Sequence, residues 1–171
     1  MLLPPSSALA TAMIAVIVAT AAVIDVRTRR VPNALTGSAA LLGVALAAAG
    51  LGRVALVSSI AGCGIGLALM LPGYLLGGTG GGDVKLLAAV GTLLGPGGTL
   101  RAFVATAIAG GVLALVVSIQ RRRVRATLAG TARLVESAGA NRAEIEDLRA
   151  GNRFAYAPAI AIGAIVAALT S

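Results

Sequence analysis

Apolar residues fill most of this 171-residue chain in long stretches, and the polar positions between them are few and grouped. The stretches are 8–24, 34–51, 54–76, 84–94, 100–119 and 154–169. Five of them have 16 to 23 residues, enough to span a bilayer with modest thinning or extension into the flanks. The fourth has 11 and covers only about half of the hydrocarbon at ~1.5 Å per residue. The pattern predicts an all-α polytopic membrane protein with six transmembrane helices in a single membrane domain, 1–171. One sizeable polar stretch, 120–153, links helices five and six. Leu134, Ile145 and Leu148 give it only a weak helical period, so it reads as a solvated basic loop.

Composition supports this class. Hydrophobic residues make up 58% and charged residues 12%, with mean hydropathy +0.97. A soluble domain carries about twice that share of charge, and a disordered chain is far less apolar. The net charge is +8. Thirteen of the fourteen basic residues are Arg set beside apolar runs, which points to membrane orientation and anionic-lipid contact, not to nucleic acid. The opening MLLPPSS has no Lys or Arg and so lacks the basic start of a secretory signal. With six crossings, twelve of the fourteen basic residues fall in 25–33, 77–85 and 120–153, against Arg53 and Arg101 on the other side. This asymmetry predicts a cytoplasmic (inner) membrane protein with its N-terminus outside and the 120–153 loop in the cytoplasm. It also requires 84–94 to cross, because re-entry would put the RRRVR block at 121–125 outside. The shortness of that segment predicts that the glycines before it start below headgroup level, in a wet, protein-lined recess.

Little chemistry is available to such a chain. It has no His, one cysteine (Cys63), one lysine (Lys85) and six acidic residues. A Ser-His-Asp triad and an internal disulfide are excluded, a zinc centre is disfavoured, and neither metal nor cofactor is expected. Four acidic residues lie in the polar loop; Asp25 and Asp83 sit where apolar runs meet the cytoplasmic face. Each alone has a plain structural reading: Asp25 as an interfacial partner of Arg27 or Arg29, Asp83 as a helix N-cap near Lys85. Together they are 58 residues apart in sequence yet at one face by span parity. Two carboxylates facing each other across a water can share a proton, one drawing a proton from the water and the other hydrogen-bonding a scissile carbonyl. The stretch GGTGGG at 77–82 fits neither a P-loop nor a dinucleotide fingerprint, and is better suited to an extended substrate backbone lying alongside. Gly62 and Gly66 form a GxxxG pair, read as helix packing.

The sequence GGGDVKLLAAVG at 80–91 resembles the GxGD motif of the type IV prepilin leader peptidases, with Gly80, Gly82 and Asp83 in the motif positions. DVRTRRVPN at 25–33 is similar to the family's first-aspartate motif, a basic loop ending in Pro32 and Asn33. FAYAPAIAIG at 154–163 is similar to its last-helix signature around Pro158. The resemblance implies a GxGD aspartic protease-like bundle and an endopeptidase working at the cytoplasmic face. Such an enzyme removes the short basic leader of prepilin-like membrane substrates, ahead of the helix that forms the pilus core. It implies Asp25 and Asp83 as the catalytic pair, with Gly80, Gly82, Lys85, Pro32, Asn33 and Pro158 as motif support or substrate contacts. Longer members carry a cytoplasmic domain with paired cysteines and also methylate the new N-terminus. The single cysteine and early first-aspartate motif resemble the short form found with tight-adherence pili, so methyl transfer is not expected.

Three other readings remain. A small proton-coupled transporter would use both aspartates as a relay, but no charged residue sits mid-span to continue a path. A non-catalytic membrane subunit of a pilus or secretion assembly leaves the aspartate pair unexplained. A Ser–Lys hydrolase would have to join Lys85 to Ser58 or Ser59, which lie toward the other side. Sequence leaves the oligomeric state open.

Overall fold

The computed structural model describes residues 5–76, 78–120 and 156–170. These form five helices, and no strand occurs among them: α1 (Pro5–Thr28), α2 (Asn33–Ala48), α3 (Leu56–Leu75), α4 (Gly81–Gln120) and α5 (Ala157–Leu169). The 120–153 loop, beyond the Gln120 that ends α4, lies outside the described residues. One expectation about boundaries changes. The helix carrying Asp25 runs on to Thr28, so Asp25 lies in its last turns and not at the head of a loop. The fourth and fifth apolar stretches remain two helical rods, the two arms of α4, parted by non-helical backbone at Gly95 (φ 69°, ψ −177°). Those angles are accessible essentially to glycine alone. Pro96 follows at once and restarts the helix, where its missing N–H costs nothing.

The break turns the chain back on itself. A Cβ on Gly91 would lie 3.0 Å from Thr99 Oγ1, although eight residues of straight helix would separate the two by about 12 Å. Contacts elsewhere fix the sense of each rod. Gly62 and Gly66 of α3 meet Gly91 and Ala88, Gly43 of α2 meets Thr92, and Gly163 of α5 meets Thr106. Ala157 lies beside Asp25 at one end of α1 while Thr11 Oγ1 and Ala168 O approach to 3.5 Å at the other. Successive rods therefore alternate in direction, counting the arms of α4 (81–94 and 96–120) separately.

The first arm of α4 is the centre of the bundle. Apart from Lys85, its residues from Asp83 to Gly95 are all buried. A helix apolar on every side belongs inside. Ile14, Val18 and Ala21 of α1 add a stripe at helical spacing, and α5 adds Ala157, Ile160, Ala161, Ala164 and Ala168. The outside is apolar as well: Leu41, Val57 and Leu75 are 73%, 79% and 67% exposed. Such a surface suits lipid, not water. Among the described residues, three helices are long and apolar enough to cross a membrane by length and composition: α1 over Ala10–Thr28, α3 over Leu56–Leu75, and α4 over Gly81–Val116, the last with its two arms taken together. α2 and α5 are shorter.

Packing of α3 on the first arm is backbone against backbone. A Cβ on Gly62 would fall on the Gly91 carbonyl oxygen and within 2.9 Å of Gly95, and one on Gly66 would come within 2.9 Å of Ala88 Cα. Neither neighbour is a side chain that can swing away. Gly64 has nothing within 4 Å. Gly62→Ala is expected to cost about 1–3 kcal/mol of stability. Gly64→Ala should be neutral or slightly stabilising. Thermal unfolding in detergent micelles measures both.

Candidate active site

Asp25 and Asp83 reach the same end of the bundle from different helices. Both are almost fully buried, at 6% and 7% exposure. A carboxylate taken out of water needs donors, and here the backbone supplies them. Asp25 Oδ2 accepts the Ala157 N–H at 3.2 Å, so it sits at the N-terminus of α5, where the helix dipole favours an anion. Asp83 is the third residue of α4, and its Oδ2 accepts the N–H of Gly80, just ahead of the helix, at 3.1 Å. This is one half of a capping box. The Arg29 side chain acts electrostatically on Asp25, and the Asp25 carboxylate is in turn within electrostatic reach of Asp83. Two buried acids from separate helices thus lie at one end of the bundle.

The connection from α1 to α2 makes the approach possible. Arg29 takes φ 53° and its N–H returns to Asp25 O at 2.7 Å, which ends α1 in a left-handed cap. The chain then passes Val31, which is buried, and Pro32, whose carbonyl accepts the Leu35 and Thr36 N–H groups at the start of α2. Gly82 faces this segment: a Cβ there would lie 3.0 Å from Val31 Cβ and 3.3 Å from Val31 O. Its bareness lets α4 lie against the Asp25 connection. On the side of Gly82 to which a Cβ would point, Val31 of the protein itself occupies the space. Gly81 and Gly82 also belong to the first turn of α4 and not to a loop. Gly80 is constrained by Asp83 itself, whose Oδ2 would be 3.0 Å from a Cβ.

Of the other motif residues, Lys85 Nζ donates to Asn33 Oδ1 at 2.9 Å and ties the start of α4 to the start of α2 at the surface. Pro158 occupies the first turn of α5, where no intrahelical donor is needed. Tyr74 borders Gly81 from α3. Sequence reasoning overlooked two contributors. One is the Ala157 N–H, which has no side-chain signature. The other is Tyr156, whose ring lies on Gly110 and whose phenol is within electrostatic reach of Asp83. A tyrosine in a chain with only four Phe, Trp or Tyr residues, at a polar–apolar boundary, was the available clue.

A family model for the type IV leader peptidase family matches residues 12–115. The chain belongs to that family. It is thus a member of a peptidase family, with apolar helices suited to a membrane. The matched stretch holds Asp25, Pro32, Asn33, Gly80, Gly82, Asp83 and Lys85, whereas Tyr156, Ala157 and Pro158 lie beyond it. Comparison with curated proteins and with solved structures gave no significant match. Among the described residues no cluster of three or more His, Cys, Asp or Glu could hold a metal ion. Ser59 is buried and donates to Thr92 O at 2.8 Å, two turns along α4 from Lys85, so a Ser–Lys pair is not assembled.

Gly82→Val forces a branched side chain into Val31 and shifts one aspartate relative to the other. A misplacement of about 1 Å costs on the order of 100-fold in rate. Gly78→Ala places its Cβ at an ordinary 3.5 Å from Gly73 O and should retain activity. Cleavage rate per inserted molecule compares the two.

Proposed function

We propose that this protein is a membrane aspartic endopeptidase that removes the short N-terminal leader of prepilin-like membrane substrates at the cytoplasmic face. The observation that carries this reading is the presence of two buried carboxylates, on separate helices, at one end of the bundle of a leader peptidase family member. Two such acids cannot both ionise easily and hold one proton between them. The ionised carboxyl takes a proton from a bound water as the water oxygen attacks the scissile carbonyl carbon. The protonated carboxyl donates to the carbonyl oxygen as charge develops there. Collapse of the tetrahedral species breaks the C–N bond, and the leaving nitrogen takes up the proton. Gly80, Gly82, Lys85, Pro32, Asn33 and Pro158 serve in support of this geometry. The one cysteine, Cys63, lies within α3, so these residues offer no counterpart of the paired cysteines of longer members, and the reading is of cleavage without methyl transfer.

The topology proposed is six crossings with the N-terminus outside, the arms of α4 counting as two. Arg27, Arg29, Arg30 and Lys85 lie toward the aspartate end, and Arg53 and Arg101 toward the other, which supports a cytoplasmic site. The basic 120–153 loop would then lie against anionic lipid on the same side.

Asp25→Asn and Asp83→Asn should each reduce leader removal to background while insertion is unchanged, because Asn keeps the shape but cannot exchange the proton. The double variant should be no worse than either single one, since the pair acts as a unit. Near wild-type cleavage by either single variant overturns the assignment; if no prepilin is cut by the parent protein while these variants lose proton-coupled flux, the transporter reading replaces it. Topology is checked in a Cys63→Ser background with Gly97→Cys and Ser137→Cys. Impermeant thiol reagent added outside intact cells should label position 97 and not 137.

A further inference from the structure

A cavity of about 380 Å³ lies at the end of the bundle away from the aspartates. Ala10 and Met13 of α1, Leu46 and Ala47 of α2 and Leu93 of α4 line it, and Arg53, on the link from α2 to α3, borders it. α1 and α2 meet only sparsely, and the cavity occupies the space between them. Its size is that of a small-molecule site. The other polar side chain on its wall, Thr92, already donates to Ala89 O at 2.7 Å. Water in a cavity needs several polar partners, so walls of this kind select an apolar occupant. One turn of helix, ~10 Å wide and ~5.4 Å long, fills roughly 420 Å³, and the cavity has no room for a full turn of a substrate's helix. A single hydrocarbon chain fits it.

Arg53 brings a positive charge to this apolar space. Its Nη1 donates to Thr11 Oγ1 at 3.3 Å and to Ala168 O at 3.1 Å. The guanidinium thus reaches from the α2–α3 link to α1, one residue from Ala10 on the cavity wall. Both acceptors are neutral: they orient the guanidinium and supply no counter-charge. On the proposed topology Arg53 stands on the side that is poor in basic residues, so membrane orientation does not account for it. We propose that this cavity is a lipid site, taking one acyl chain of an anionic phospholipid whose phosphate becomes a partner of Arg53. The second chain stays in the bilayer. A guanidinium fork suits a phosphate, which accepts charge-assisted hydrogen bonds from it. The site is separate from the aspartate pair and independent of which bond that pair cuts. The competing role of Arg53, a cap on the last carbonyls of α5, needs a donor but neither a charge nor a cavity.

Native mass spectrometry of the purified protein in detergent micelles, titrated with phosphatidylglycerol or phosphatidylcholine of identical chains, separates the two roles. The parent protein should retain one phosphatidylglycerol about 10-fold more tightly than phosphatidylcholine, the equivalent of one charge-assisted hydrogen bond. Arg53→Gln keeps a donor without the charge and should bind both lipids alike. Arg101→Gln removes another cation of the same side, away from the cavity, and should leave the preference intact. Ala47→Leu fills the cavity and should weaken both lipids about 10-fold while the preference persists. If Ala47→Leu fails to insert, Met13→Phe narrows the same space from α1 and carries the same expectation. Equal retention of the two lipids by the parent overturns the proposal. So does loss of the preference in Arg101→Gln, which marks a general surface charge, or parental retention in the cavity-filling variant. Displacement of the bound phosphatidylglycerol by a prepilin substrate overturns it as well and gives the space to the substrate.

Discussion

Burying a carboxylate inside an apolar bundle is costly unless backbone donors meet it, and the architecture at the aspartate end follows from that constraint. Asp25 is met by an N–H that belongs to the last helix of the chain. The start of α5 must therefore come to the end of α1, which sets the antiparallel pairing of those helices and brings Ala168 to Thr11 at the far end. Asp83 is met from within its own helix start, so it needs no distant donor. What it needs is proximity, and proximity comes from bare backbone: Gly82 against Val31 on one side, Gly62 and Gly66 against the first arm of α4 on the other. The glycines of this chain act less as hinges than as places where a methyl group is missing by necessity.

This also explains why the second aspartate lies on the central rod. A rod packed against α2, α3 and the second arm of α4 is held from several sides, so its first turn has little freedom. α1, which carries the other aspartate, packs mainly on α5. Rigid support for one acid and a long-range backbone tether for the other together define the gap between them. A site of this kind is sensitive to the docking of α5, although α5 contributes no acidic side chain.

Much of the arrangement was legible in the sequence, for identifiable reasons. Apolar stretches locate helices well when the environment is uniformly apolar, and Asp25 and Asp83 stand out because the other acidic residues are gathered in the polar loop. The end of α1 was misplaced because hydropathy marks where the apolar run stops, whereas the helix continues through Val26, Arg27 and Thr28. Gly81 and Gly82 read as loop because consecutive glycines disfavour helix; their contact with Val31 depends on tertiary approach and leaves no local pattern. The Ala157 donor was invisible for a more basic reason, since every residue but proline has one and only the fold selects it. Tyr156 is the intermediate case, conspicuous by scarcity but placed only by its seat on Gly110.

The break at Gly95 has a consequence for which polypeptides this protein can cut. The arm from Gly81 to the break has 14 residues, about 21 Å of helix, against a hydrocarbon layer of about 30 Å. On the proposed topology Asp83, in the first turn of that arm, and Asp25, at the same end of the bundle on α1, lie several ångströms inside the apolar layer. A peptide bond reaches that depth only if the segment following it is itself at home in lipid. Selection would then be made by where a substrate parks in the bilayer before any of its side chains is read. A water-soluble peptide carrying the same residues around the scissile bond would be passed over for want of an anchor.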